Sequence, residues 1–299
     1  MHCLLFFLKG ILKMSEELIT VYIITHNRLD LLKRALNSVL SQSYDALEII
    51  VVNDNSTDGT VEYIKSFENN SPKIVRFFTN EKNKGACYSR NVAILNATGK
   101  YITGLDDDDY FLPDRVKAFY DNRHLLNTHA LLYTDSIWKT KKGLSSAKIN
   151  KIFNSETNFS DLLAFNFIGN QIFTKTDILQ KTLFDESMPA WQDLECWLNL
   201  LKDRKTTAKK IRYYTYIQDI SHEHERISGS KISKIEYAYD KIIKKYTLNQ
   251  KEIHLLNNHF CSYGFRKGSF ALSSIILICK LKVSGVLIFL RNLKLLITA

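Results

Sequence analysis

The feature that most constrains this chain is a regular alternation of apolar runs and amphipathic segments up to residue 130. Short runs rich in β-branched residues indicate buried strands, and apolar residues at helical spacing indicate helices that pack by one face. The predicted strands are Leu18–Thr25, Leu47–Asn53, Ile74–Thr79 and Tyr101–Leu105, and the predicted helices between them are Asp30–Ser41, Thr60–Phe67 and Gly85–Asn96. This alternation predicts an α/β fold with a mostly parallel sheet flanked by helices.

Glycine and proline mark two of the predicted helix boundaries. Gly99 follows the third helix and is expected to end it as a C-cap, and Pro113 is expected to start the next helix at its first position. Beyond Ala130 the pattern is less regular, with a lysine-rich hairpin near Lys139–Lys142 and a helix near Asp193–Lys202. We interpret this second half as the region that binds a second substrate.

Three polar loops follow three of the predicted strands. They are Thr25–Arg28, Asn53–Asp58 and Asp106–Asp109. In parallel α/β sheets the ligand binds outside the carboxyl ends of the strands. The three loops are therefore expected to converge on one crevice.

The last of these loops contains four consecutive aspartates, in the stretch YITGLDDDDYFLPDRV. Adjacent carboxylates repel each other, so a bound cation is the arrangement that best accounts for them. Alternate residues at a strand end point the same way, so Asp106 and Asp108 are expected to share one metal ion. Oxygen ligands suit Mg²⁺ or Mn²⁺. The alternative is a solvated acidic turn.

Four stretches of the chain, taken together and in order, resemble the family 2 glycosyltransferases with the GT-A fold. The stretches are ITVYIITHNR, LEIIVVNDNSTDGT, NKGACYSRNVAILNATGKYITGLDDDDYFLPDRV and FDESMPAWQDLECWLNL. The chain is most similar to bacterial members that build surface polysaccharide, O-antigen repeat units in particular. The resemblance implies a catalytic domain over residues 15–228, with a nucleotide-binding half at 15–130 and an acceptor-binding half at 131–228. Residues 229–299 would then form a C-terminal helical, basic and amphipathic region.

The resemblance also implies a role for individual residues. Asp54 matches the carboxylate that accepts the uracil N3–H, which suits a group that only accepts hydrogen bonds. Asp106 and Asp108 match the metal motif, with Asp108 the better supported ligand, and Asp193 matches the general base. The residues expected to contact the nucleotide sugar are Thr25, His26, Arg28, Asp54, Arg90, Asp106 and Asp107.

The chain departs from the family pattern at two positions. His26 stands where tyrosine is frequent, and Gln192 stands where many relatives carry a glutamate. Asp193 is then the candidate base of its motif, with Glu195 nearby as a second carboxylate. The alternative is that Asp193 only interacts with the helix dipole. In SHEHERISGSK, His222 is expected to complete the metal site, although a charged surface loop is an equally simple interpretation.

These roles together predict an inverting transferase. A divalent ion would stabilise the departing nucleoside diphosphate, and a carboxylate would deprotonate the acceptor hydroxyl. The expected donor is a UDP-hexose or UDP-N-acetylhexosamine, and the expected acceptor is a saccharide, undecaprenyl-diphosphate-linked in the O-antigen or capsule pathways. A nucleotidyltransferase is one alternative, but ITHNRLD lacks its glycine-rich loop. A non-catalytic nucleotide-sugar-binding protein is the other, and the combination of Asp54, Asp106, Asp108 and Asp193 argues against it.

The distribution of charge predicts the location of the protein. The net charge is +10, and the segment Tyr263–Ala299 mixes apolar blocks with six basic residues and no acid. This composition favours an anionic membrane surface over nucleic acid, so we expect a peripheral protein on the cytoplasmic face of the membrane. The alternative is a helical tail packed on its own domain. The five scattered cysteines indicate reduced thiols and no disulfide framework. Separately, we exclude the short apolar segment Met1–Lys13 from the predicted fold.

Overall fold

The predicted alternation of strands and helices is present in the computed structural model, which describes residues 16–67, 71, 73–146, 155–203, 205–221, 232–263 and 290. The strands are β1 (Ile19–Thr25), β2 (Leu47–Asn53), β3 (Ile74–Thr79), β4 (Tyr101–Asp106), β5 (Tyr110–Phe111), β6 (Leu131–Thr140), β7 (Gly143–Ser146), β8 (Glu156–Thr157), β9 (Phe173–Lys175) and β10 (Ala208–Asp219). The helices are α1 (Leu29–Leu40), α2 (Thr60–Lys65), α3 (Ala86–Asn96), α4 (Arg115–Asp121), α5 (Phe159–Ala164), α6 (Thr176–Thr182), α7 (Gln192–Leu200), α8 (Ile232–Tyr246) and α9 (Gln250–Leu256), with 3₁₀ helices at Arg123–Asn127 and Asn257–Tyr263.

The strands form one mixed sheet in the described part of the chain, in the order β3-β2-β1-β4-β9-β6-β10-β5, with β7 paired to β6 and β8 to β10. The first four strands are parallel. Strand β9 is antiparallel to both β4 and β6, and it joins the regular first half to the strands of the second half. The strand order reverses at β1, which lies between β2 and β4. A ligand crevice is expected outside the carboxyl ends of β1 and β4 for this reason.

Alternate residues of the central strands enter two separate cores. In β1, Tyr22 packs with α3 and the helices of the second half, whereas Val21 and Ile23 pack with α1 and α4. Successive side chains of a strand point to opposite faces, so a strand that is apolar throughout requires cover on both sides. Helices therefore lie on both faces of the sheet, as predicted.

Two predicted helix boundaries are wrong. Helix α3 ends at Asn96, and Ala97 follows it in an extended conformation, so Gly99 is not the C-cap. A Cβ on Gly99 would lie 2.6 Å from the backbone nitrogen of Thr20, so glycine is needed because the chain passes close to β1. Helix α4 begins at Arg115 and not at Pro113, which lies before its N-cap residue.

The C-terminal helices pack on the same face of the sheet as α3 and α7. Ile235, Ala238 and Ile242 of α8 and Leu256 of α9 are buried in the core cluster that also contains α3 and α7. The predicted division at residue 228 stays a prediction. The tail residues 264–289 and 291–299 lie outside the described residues, as does the membrane contact predicted for them. Within the described ranges, no helix is both long and apolar enough to cross a membrane.

Candidate active site

A cleft of about 580 Å³ lies at the carboxyl ends of β1, β2 and β4. The three polar loops converge there, as the strand order requires. The cleft is lined by every predicted site residue in the described part of the chain: Thr25, His26, Arg28, Asp54, Arg90, Asp106, Asp107, Asp108 and Asp193. His222, the remaining predicted ligand, lies outside the described residues.

Asp54 organises the side of the cleft that is predicted to hold the nucleotide. Its carboxylate accepts hydrogen bonds from the Asn80 side chain and from the backbone N–H groups of Lys84 and Gly85, each at 2.8 Å. The backbone carbonyl of Asp54 accepts a hydrogen bond from His26 Nδ1 at 2.7 Å. A carboxylate has about four acceptor positions, so Asp54 retains capacity for a further donor from a ligand.

The aspartate run provides a cluster of three carboxylates. Oxygen atoms of Asp106, Asp108 and Asp109 all lie within 4.8 Å of one another. Burial raises the pKa of Asp109 well above its ordinary value, and the charges of Asp108 and Asp106 raise it further. A divalent cation would remove this repulsion, so the donor set fits Mg²⁺ or Mn²⁺.

Asp109 is the ligand candidate that the sequence analysis missed. Its carboxylate accepts hydrogen bonds from the Tyr216 hydroxyl at 2.6 Å and from the Asp219 backbone N–H at 2.9 Å. The alternation rule selected Asp106 and Asp108, but β4 ends at Asp106 and the chain turns at the next two residues. The rule does not extend past the strand, so it could not place Asp109.

Asp107 is not one of the three clustered carboxylates and has protein partners of its own. It accepts hydrogen bonds from the Thr25 hydroxyl at 2.8 Å and from the Arg28 guanidinium at 3.0 Å. Burial raises the pKa of Asp107 to about 6, although Arg28 opposes the shift. These contacts tie the loop after β1 to the loop after β4. A contact between Asp107 and the nucleotide sugar stays a prediction.

Two side-chain amides that precede β9 donate hydrogen bonds to the carboxylate cluster. The sequence analysis did not predict them. The Asn170 amide donates to Asp106 at 2.8 Å and to Asp109 at 3.0 Å. The Gln171 amide donates to the other oxygen of Asp106 at 3.0 Å. The only sequence signal was that Asn170 and Gln171 form a polar pair just before the buried strand β9. The partners of this pair lie more than sixty residues away in sequence.

Gly104 provides the space for this support. A Cβ at Gly104 would lie 2.1 Å from Oε1 of Gln171 and 2.4 Å from Cζ of Tyr22. We expect Gly104→Ala to lower the free energy of unfolding by about 1–3 kcal/mol, the usual cost of overpacking, and to lower turnover because Gln171 is displaced from Asp106. Thermal unfolding and steady-state kinetics measure the two effects. Wild-type values for both would contradict this account.

Arg90 joins the carboxylate cluster to the second half of the cleft. Its side chain is buried, and it donates to Asp106 and to the Gln192 side chain, each at 3.1 Å. The guanidinium also lies over the Phe184 ring, 5.2 Å from its centroid. Gln192, where relatives often carry glutamate, therefore has a structural partner in Arg90.

Asp193 is the second residue of α7 and lines the cleft. Burial raises its pKa to about 7, with Arg90 opposing the shift and the charge of Asp106 adding to it. No described residue makes a hydrogen bond to its carboxylate. Glu195, the second candidate, is buried away from the cleft and accepts hydrogen bonds from Lys245 at 2.6 Å and Tyr246 at 2.8 Å. Glu195 is therefore held by protein partners, and of the two carboxylates it is Asp193 that lines the cleft.

The fold and the carboxylate-lined cleft define an α/β protein with a candidate active site at the carboxyl ends of its strands, and comparison with known proteins identifies the family. The family model described as "Glycosyl transferase family 2" matches residues 20–173. The chain belongs to this family, and it is a glycosyltransferase with the GT-A fold.

The most similar proteins include bacterial enzymes of surface polysaccharide synthesis. WcaA of Escherichia coli (strain K12), named as a colanic acid biosynthesis glycosyl transferase, is 34% identical over 81% of this chain and 87% of its own. WfaP of Escherichia coli, a UDP-Glc:alpha-D-GlcNAc-diphosphoundecaprenol beta-1,3-glucosyltransferase, is 29% identical over 69% of this chain and 80% of its own. The crystal structure of S. aureus TarS 1-349 with UDP-GlcNAc superposes with a TM-score of 0.65 at 19% identity, covering 85% of this chain and 75% of that one. The TarS likeness supports the fold.

Proposed function

We propose that this glycosyltransferase is metal-dependent and inverting, and that it moves a hexose or N-acetylhexosamine from a UDP-sugar to a saccharide linked to a lipid diphosphate. The observation that carries the proposal is the arrangement of the cleft. Three carboxylates that suit a divalent ion line the cleft together with Asp193, whose carboxylate has no hydrogen-bond partner among the described residues.

The donor would lie across the first half of the cleft. Asp54 retains an acceptor position for the uracil N3–H, and His26 lies against its backbone carbonyl. Asp106, Asp108 and Asp109 would hold Mg²⁺ or Mn²⁺, and the bound ion would neutralise charge on the diphosphate leaving group. WfaP is named as a UDP-Glc-dependent glucosyltransferase and TarS binds UDP-GlcNAc in its crystal structure, which supports the same donor class here.

Asp193 would act as the general base. Its carboxylate would take the proton from the acceptor hydroxyl as that oxygen bonds to the anomeric carbon and the bond from that carbon to the diphosphate breaks. A single displacement inverts the anomeric centre and needs no covalent nucleophile. Arg90 would fix the separation between Asp106 and Asp193, because its guanidinium donates hydrogen bonds to Asp106 and to Gln192, the residue before Asp193.

The acceptor class is inferred from two kinds of support. WfaP acts on a diphosphoundecaprenol-linked sugar by its name. The net charge of +10 and the basic, apolar tail favour contact with an anionic membrane, where such acceptors are found. We therefore propose a peripheral location on the cytoplasmic face. None of the comparisons favours a nucleotidyltransferase.

A donor screen tests the proposed function. UDP-glucose, UDP-galactose, UDP-GlcNAc and UDP-GalNAc would each be incubated with Mn²⁺, with and without a lipid-diphosphate-linked GlcNAc or GalNAc. We expect metal-dependent UDP release with at least one donor, increased by one of the acceptors, and a product of inverted anomeric configuration. A parallel reaction with UTP and a sugar 1-phosphate tests for nucleotidyl transfer. Activity in that reaction alone would overturn the proposal.

The pKa of Asp193 predicts how the rate depends on pH. A base must be unprotonated, and a pKa of about 7 means that Asp193 retains its proton to a higher pH than an ordinary aspartate. At saturating metal, kcat/KM is expected to fall about tenfold per pH unit below pH 7 and to level off above it. Measuring Mn²⁺ affinity at each pH separates this effect from loss of metal. A flat profile from pH 5.5 to 8 would contradict the assignment.

A further inference from the structure

One wall of the cleft is aromatic and is not used by the donor groups described above. Trp191, His259 and Tyr263 line it beside Asp193. All three lie beyond residues 20–173, the segment that matches the family. His259 and Tyr263 belong to the C-terminal 3₁₀ helix, which therefore contributes directly to the cleft.

Trp191 is held in a conformation that bulky residues rarely adopt. It is the N-cap residue of α7, with φ 55° and ψ 30° in the left-handed region. The Glu195 backbone N–H donates to its carbonyl at 2.9 Å. Such strain persists where the surroundings fix it, and it is frequent at functional sites. The conformation places the indole two residues before the proposed base, on the same wall of the cleft.

The indole is fixed by its neighbours. Its N–H donates to the Tyr263 hydroxyl at 3.1 Å. Its ring centroid lies 5.3 Å from that of His259 and 5.6 Å from that of Phe260. His259 is itself fixed, because its Nε2 donates to the Leu162 carbonyl at 2.9 Å. A ring held on several sides presents a fixed apolar surface at a small cost in entropy when a ligand binds.

Tyr263 offers a hydrogen-bond donor next to this surface. Its hydroxyl accepts from Trp191, so its own proton is available for another partner, and no acceptor for it lies among the described residues. Burial raises the pKa of Tyr263, the hydrogen bond from Trp191 opposes this shift, and the charge of Asp193 on the same wall adds to it.

We propose that Trp191 and Tyr263 form the subsite for the acceptor sugar, with the indole stacked on the apolar face of the pyranose ring and the Tyr263 hydroxyl donating to a ring substituent. The inference rests on the proposed function. A base must lie within hydrogen-bond reach of the hydroxyl that it deprotonates, so the acceptor must lie against the wall that carries Asp193. Fixed aromatic surfaces with a few placed polar groups are typical of ligand sites.

The test separates acceptor binding from donor binding. Donor hydrolysis without acceptor gives the KM of the UDP-sugar, and transfer to the lipid-diphosphate-linked sugar found in the donor screen gives the KM of the acceptor. We expect Tyr263→Phe to raise the acceptor KM about tenfold, because one hydrogen bond to the acceptor is lost. Trp191→Leu is expected to raise it more, because the stacking surface is lost. Donor KM is expected to stay within about twofold of the wild-type value in both variants.

Two exposed residues outside the cleft lining give matched controls. Tyr237→Phe and Trp138→Leu, with 55% and 44% exposure in the native chain, are expected to leave both KM values unchanged. Unchanged acceptor KM in both Tyr263→Phe and Trp191→Leu would overturn the inference, as would a donor KM that rises as much as the acceptor KM. Absence of wild-type UDP release from every donor in the screen, both with and without acceptor, would instead overturn the proposed function and this inference with it. That outcome is distinguishable because failure of this inference alone leaves wild-type transfer intact.

Discussion

Replacing Asp193 with asparagine is expected to lower turnover by about 10²–10⁴-fold, the usual worth of a general base. Asparagine keeps the shape of the side chain but cannot accept the proton. No hydrogen bond to a described residue is lost, so the cleft is expected to keep its form. Donor hydrolysis and isothermal titration with the UDP-sugar are expected to give a donor affinity within about twofold of the wild-type value.

Stability distinguishes this loss from unfolding. Burial raises the pKa of Asp193 from 3.8 to about 7, so ionising this carboxyl costs more in the folded than in the unfolded protein, and the full cost to stability is present above pH 7. Asp193→Asn removes the charge, so its melting temperature at pH 8 is expected to equal or exceed that of the wild type. Glu195→Gln is the matched control, because it weakens buried contacts to Lys245 and Tyr246 and is expected to lower stability. An Asp193→Asn enzyme with a tenth or more of wild-type turnover would exclude Asp193 as the base.

The first half of the fold could be predicted because its signals are local. Strand β1 matches its predicted segment within one residue at its start, and β2 and β3 match theirs at both ends. Apolar runs of this kind are bounded by turn-forming residues, and parallel strands end at one edge of the sheet. The convergence of Asp54, Asp106 and Asp193 followed from that order together with the family resemblance.

The supporting residues could not be predicted because they depend on register between distant segments. Asn170 reaches Asp106 and Asp109 only because β9 enters the sheet antiparallel to β4. Gly104 is needed because Tyr22 of β1 and Gln171, which precedes β9, approach it closely. Tyr263 reaches Trp191 from 72 residues further along the chain. Side-chain contacts of this range leave no periodic pattern in the sequence.

The metal requirement is the second prediction with a large expected effect. The Asp106 and Asp108 side chains are 21% and 17% exposed, and they open onto the cleft where a diphosphate would bind. Asp108→Asn removes one negative charge from the cluster and replaces a carboxylate ligand of the ion with a weaker, neutral amide oxygen. We expect turnover to fall about 10²–10³-fold, comparable to the loss of one electrostatic stabilising group in other active sites. Mn²⁺ affinity, followed by the electron paramagnetic resonance signal of the free ion, is expected to fall in parallel.

Two further variants separate a ligand from a supporting carboxylate. Asp109 already receives hydrogen bonds from Tyr216 and from the Asp219 backbone, so Asp109→Asn is expected to lower the melting temperature as well as Mn²⁺ affinity. Asp121→Asn changes a half-exposed carboxylate outside the cleft lining and is expected to alter none of these properties. The metal assignment requires that chelation abolish transfer in the wild type and that Mn²⁺ restore it. Full transfer in chelator, or wild-type Mn²⁺ affinity in Asp108→Asn, would show that the three carboxylates do not hold the ion.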